Sequence, residues 1–150
     1  FIELNVEIET EAGIPVSEIF ALYGEEGYRQ LEADTLERII AEHTRIVLAV
    51  AGGIASKGDT FAMVLARFHT VWLKAQPGEH MARVRAQGDL RPMAGNPQAM
   101  AQLRQILRSR EADYAQAAYQ LDTSEKSVAA SHADLRDLLL SNDVTTASGG

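Results

Sequence analysis

The chain has 150 residues, 46% of them hydrophobic and 23% charged, which suits one domain with a sizeable core. Its net charge of −7 opposes the phosphate neutralisation on which nucleic-acid binding rests, and no apolar run approaches the roughly 20 residues of a membrane helix. It has no cysteine, which excludes disulfides, thiolate metal sites and cysteine nucleophiles. No basic-then-apolar leader opens it, so a cytoplasmic location is expected.

Phe1 to Leu4 is short and alternately apolar, as in a strand. Asn5 can cap a following helix whose first turns carry Glu7 and Glu9, and Gly13 ends it. Pro15 and Ser17 open a second helix that stops at Gly24, and Glu25 to Glu42 reads as a long amphipathic one. The run from Arg45 to Ala51, ended by Gly52 and Gly53, has the pattern of a strand buried on both faces.

Residues 59 to 67 are expected to be helical, and His69 to Lys74 reads as a second buried strand. Pro77 starts another helix, and the glycines and prolines from Gly88 to Pro97 predict a mobile loop. Gln98 to Ala118 reads as a helix in two pieces, Tyr119 to Asp122 as an edge strand and Ser127 to Leu140 as the last amphipathic helix. Residues 1–140 are thus expected to form one domain, with 141–150 a disordered tail. Strands alternating with helices imply parallel pairing.

Taken in order, these pieces resemble shikimate kinase from Phe1 to about Leu140. Phe1-Ile-Glu-Leu-Asn5 resembles the family stretch that carries two aspartates around its second strand. Gly13-Ile-Pro-Val-Ser-Glu-Ile-Phe20, then Gly24-Glu-Glu-Gly-Tyr-Arg29 and Glu32, resembles the shikimate-binding helices. Ala51-Gly52-Gly53 resembles the triple-glycine turn, Leu90-Arg91-Pro92-Met93 the lid, and Leu107 to Arg110 with Tyr114 the late arginine helix.

The resemblance implies a three-layer α/β fold, a parallel sheet with helices on both faces. It implies that Arg29 and Arg110 hold a carboxylate beside Gly52 and Gly53 and that Arg91 closes over ATP, while Asn5, standing where the family has a hydroxyl-binding aspartate, can hydrogen-bond a ligand. Each has a plainer reading. Arg29 can pair with Glu25 or Glu32 on its own helix, Arg91 can be an exposed loop residue, and Asn5 can be only a cap. Arg104 and Arg108 suit a solvated helix face, and Trp72 suits a core. The four histidines show no metal-ligand spacing, so no metal site is expected.

Departures from the family pattern decide the functional expectation. The phosphate-cradling pattern Gly-x-x-x-x-Gly-Lys-Ser/Thr is absent from these residues, so the fold is expected without its P-loop strand. Asn5 replaces an aspartate, and an amide cannot accept a proton as a base does. Glu3 replaces the other aspartate, and Ala51 a glycine.

The stretch from His80 to Asn96, with Ala75 to His80 and Leu121 to Ser124, resembles the shikimate-kinase-like domain of bacterial regulators of benzoate breakdown. That resemblance implies a sensor of an aromatic acyl-CoA such as benzoyl-CoA, without kinase activity or cofactor. Such a sensor would meet DNA only through a separate N-terminal helix-turn-helix domain, and would be free to pair with a second copy. The alternative is a shikimate kinase, using ATP and magnesium to phosphorylate shikimate.

Overall fold

The computed structural model describes residues 1–56, 58–86 and 98–144. The chain divides into two compact units, Phe1–Arg67 and Phe68–Gly150.

The first unit opens with strand β1 (Ile2–Glu3) and helix α1 (Leu4–Ala12). Gly13 ends α1 by taking the left-handed conformation, φ 68°, and its N–H donates to the Glu9 carbonyl. Glu9 also governs the next start, since its Oε1 accepts the Val16 N–H at 2.8 Å. Pro15 occupies the N-cap of α2 (Val16–Glu42), where its fixed φ suits the helix entry. Gly24 leaves the helical conformation with φ 69° and ψ −173°, so the expected break between two helices stands there as a kink that divides α2 into two arms.

Leu4 and Ile8 of α1 are fully buried, as are Ile19, Leu36 and Ile39 of α2. Around this core, Thr35 Oγ1 donates to Glu11 Oε2 at 2.7 Å, and Arg38 joins Glu7 and Glu11 of α1 to Glu42 of α2.

Strand β2 (Leu48–Ala49) pairs parallel with β1, Ile2 facing Leu48 and Glu3 facing Ala49. Its pattern predicts a strand buried on both faces from Arg45 to Ala51. The paired part is shorter, and Val47 is 64% exposed. Among the described residues β2 has one ladder neighbour, β1, so its apolar run is only partly covered. Gly52–Ser56 forms a 3₁₀ turn, and α3 (Gly58–Arg67) closes the unit.

The second unit carries β3 (Val71–Lys74), α4 (Pro77–Ala86), α5 (Ala99–Tyr114), β4 (Tyr119–Asp122) and α6 (Val128–Ser141). β3 and β4 pair parallel, from Val71 facing Tyr119 to Lys74 facing Asp122. This agrees with the expected parallel α/β class. β3 is half-buried rather than buried, with Leu73 58% exposed. The segment expected as two helical pieces is one helix, α5, because no glycine or proline interrupts residues 99–114. Ser127 caps α6 by accepting the Ala130 N–H. The expected mobile loop, Gly88 to Pro97, lies wholly outside the described residues, as do 145–150; Ser141, assigned to the tail, ends α6.

Candidate functional site

The first unit gathers four predicted residues around the second arm of α2. Arg29 follows the Gly24 bend by one turn and a half. Its Nη1 donates to Glu32 Oε2 at 2.8 Å, while Glu25 Oε1 lies 3.7 Å from its Nε. Both partners of the plainer reading are therefore present, yet the pair is not a surface one. The Arg29 side chain is 14% exposed and that of Glu32 only 1%. Arg29 Nε is buried and makes no hydrogen bond. A buried guanidinium with an unsatisfied N–H retains unused donor capacity, costly unless an acceptor arrives.

The 3₁₀ turn lies against this guanidinium. A Cβ built on Gly53 would stand 3.0 Å from Arg29 Nη2 and 3.5 Å from Nη1. A side chain at this position would press on the fork and push the guanidinium aside by a few tenths of an ångström. Gly52 precedes it in the same turn, and the Ala51 carbonyl accepts the Ile54 N–H.

Asn5 sits in the first turn of α1, while Glu3 holds the N-cap position and makes no side-chain cap bond. The expectation of Asn5 as a helix cap is thus corrected. The helix starts one residue before it, and its side chain turns instead to α2. Asn5 Oδ1 lies 3.0 Å from Tyr28 Oη, which also lies 3.2 Å from Glu32 Oε1. The Tyr28 ring stacks on Phe20 with centroids 4.5 Å apart, and the Arg29 guanidinium carbon lies 5.2 Å from its centroid. Burial, and next the charge of Glu32, push the Tyr28 hydroxyl up to about 12.

Tyr28 and Glu32 therefore belong to the site, although neither was among the residues chosen from sequence as ligand contacts. Their spacing carried the signal. Glu32 lies three residues after Arg29 and four after Tyr28, the intervals at which helical side chains meet.

Arg110 lies near the end of α5 in the second unit and is part-buried, while Arg104 and Arg108 on the same helix are exposed. Arg91 lies outside the described residues. Trp72 packs in the second unit, its ring centroid 5.5 Å from that of Tyr114 and 4.4 Å from Lys74 Nζ. Among the described residues no three His, Asp or Glu side chains gather as a metal site, and no helix is long and apolar enough to cross a membrane.

The shikimate kinase family model matches residues 1–139. The shikimate kinase of Nitrobacter winogradskyi is 35% identical over 117 residues, covering 78% of this chain and 54% of that protein. That of Symbiobacterium thermophilum is 32% identical over 120 residues, covering 79% and 68%. This chain therefore spans about half to two thirds of the length of these curated relatives. Among solved structures, shikimate kinase from Acinetobacter baumannii in complex with shikimate superposes with a TM-score of 0.82 at 25% identity, covering 93% of this chain and 78% of that one.

These matches overturn the expectation of an acyl-CoA sensor from a transcription regulator. The similar proteins are kinases, and no benzoyl-CoA or DNA-binding partner finds support among them. The expectation of no cofactor loses its support with it. Phosphoryl transfer depends mainly on positioning and electrostatic stabilisation rather than on a base. An amide in place of a carboxylate does not by itself remove a kinase.

Proposed function

This chain belongs to the shikimate kinase family, and from that premise we propose that it supplies the acid-binding site of an ATP-dependent kinase acting on shikimate. The observation that carries the reading is the Arg29 guanidinium, fixed by Glu32, set against the Gly53 backbone and retaining a buried N–H that makes no hydrogen bond. A carboxylate is the complement of such a fork. Glu32 preorganises Arg29, so less conformational entropy is lost when the acid arrives. Gly52 and Gly53 leave room beside the fork for the ligand. Asn5, one part-exposed amide away, orients a ligand hydroxyl but cannot take up its proton.

These 150 residues contain no Gly-x-x-x-x-Gly-Lys-Ser/Thr run, and among the described ones no metal cluster is present. The residues present do not themselves fit ATP with its magnesium. The kinase activity is accordingly proposed for the protein that carries this chain, and the acid site for the chain itself.

Calorimetric titration with shikimate tests the reading. The chain should bind shikimate, and Arg29→Ala should weaken binding by about 1.5–3 kcal/mol, the range for a hydrogen bond to a charged group. Arg29→Lys should restore little, because an ammonium cannot reproduce the planar fork. Unchanged affinity in Arg29→Ala would remove that residue from the site, and absence of shikimate binding by the unmodified chain would refute the reading.

A further inference from the structure

The Tyr28 hydroxyl faces two oxygens with one proton. It lies 3.0 Å from Asn5 Oδ1 and 3.2 Å from Glu32 Oε1. The other oxygen of Glu32 is engaged by Arg29 at 2.8 Å, and the residue is fully buried. A carboxylate is a stronger acceptor than an amide carbonyl, so the Tyr28 proton belongs to Glu32. Tyr28 Oη then confronts Asn5 with a lone pair, and two acceptors at that separation repel. A half-turn of the amide about its terminal torsion removes the conflict at no covalent cost. Nδ2 then donates to Tyr28 Oη, whose own proton goes to Glu32, and Asn5 Oδ1 moves to the opposite side.

We propose that Tyr28, ordered by Glu32, is a positioning residue that locks the Asn5 amide with its oxygen outward, so that the site accepts a hydrogen bond from a ligand hydroxyl as a carboxylate would. The amide thereby keeps the geometry of an acceptor while carrying no charge. An aspartate at this position would set a second carboxylate against Tyr28 Oη, and the single proton could not serve both. The pairing of an amide at position 5 with a tyrosine at position 28 thus has one physical cause. The ligand half of the inference rests on Asn5 meeting the substrate hydroxyl; the orientation of the amide does not.

Nuclear magnetic resonance on the ligand-free chain reads the orientation directly. The Asn5 side-chain amide protons should show cross-relaxation to the Tyr28 hydroxyl or its neighbouring ring protons. Tyr28→Phe should collapse the shift difference between those two amide protons while leaving the backbone spectrum native-like. Absence of the cross-peaks, or unchanged amide shifts in Tyr28→Phe, overturns the proposal.

Shikimate titration then reads the consequence. Tyr28→Phe should weaken shikimate about tenfold, the loss of one well-placed hydrogen bond. It should leave unchanged the affinity for the deoxy analogue that lacks the hydroxyl facing Asn5. Equal weakening of shikimate and all its deoxy analogues overturns the positioning role. Cross-peaks present in a chain that takes no shikimate uphold the locked amide and overturn the substrate reading alone.

Discussion

Glu32 has its side chain almost wholly out of water, and its two oxygens meet Arg29 and Tyr28. Removing one partner of a buried pair leaves the other charge uncompensated, which costs about 3–5 kcal/mol. Glu32→Ala should therefore lower unfolding free energy by about that amount in urea titration. A change below about 0.5 kcal/mol, the usual size for a surface site, would show that the pair is solvated. Tyr28 makes a second prediction from the same cluster. Its hydroxyl rises from 10.0 to about 12 on folding, so the unfolded chain gives up this proton first. The stability it contributes is fully present below pH 10 and is lost as pH rises toward about 12. Urea midpoints measured from pH 9 to 11.5 should fall more steeply for the unmodified chain than for Tyr28→Phe.

At the scale of elements, the bend in α2 brings the site together. The arm before Gly24 buries Ile19, and the arm after it carries Tyr28, Arg29 and Glu32. Gly24 has φ 69° with ψ near 180°, a region that only glycine occupies freely, and a side chain there costs about 1–3 kcal/mol. The cost is conformational rather than steric, since nothing lies within 4 Å of a Cβ built on Gly24. Gly24→Ala should accordingly destabilise the chain by about 1–3 kcal/mol and weaken shikimate binding with it, by thermal melting and titration. Full stability in Gly24→Ala would mean that α2 bends without need of glycine. Phe20 stacks on Tyr28 across the same bend, so the kink also sets the wall against which the Tyr28 ring rests.

Within the whole molecule, the apolar faces of the paired strands are incompletely covered. Two-stranded ladders are marginal alone, and β1–β2 and β3–β4 each have two strands among the described residues. Most of the first unit's burial lies between α1 and α2, and that same packing holds Asn5 against Tyr28. Ligand that binds only the folded state should add to this modest framework. Shikimate at a hundred times its dissociation constant should stabilise the chain by about 2.7 kcal/mol and raise its melting temperature, with the rise reduced in Arg29→Ala. An equal rise in both proteins would place the ligand away from Arg29.

The helices were readable because their signals are local. Gly13, Pro15, Pro77 and Ser127 act through their own φ values or their own side chains, and each marks the boundary where the structure has one. The family order of motifs was also legible, since it needs only residues in sequence. Three matters required tertiary structure. The extent of β2 depends on which strands flank it, and an apolar run cannot state how many neighbours it has. Asn5 looked like a cap because capping is its commonest local use, whereas its partner Tyr28 lies 23 residues away. Arg29 and Glu32 could be paired from helical spacing, but spacing is silent on burial. The Gly53 backbone against Arg29 and the burial of Glu32 turn that pair from a solvated surface contact into a desolvated one.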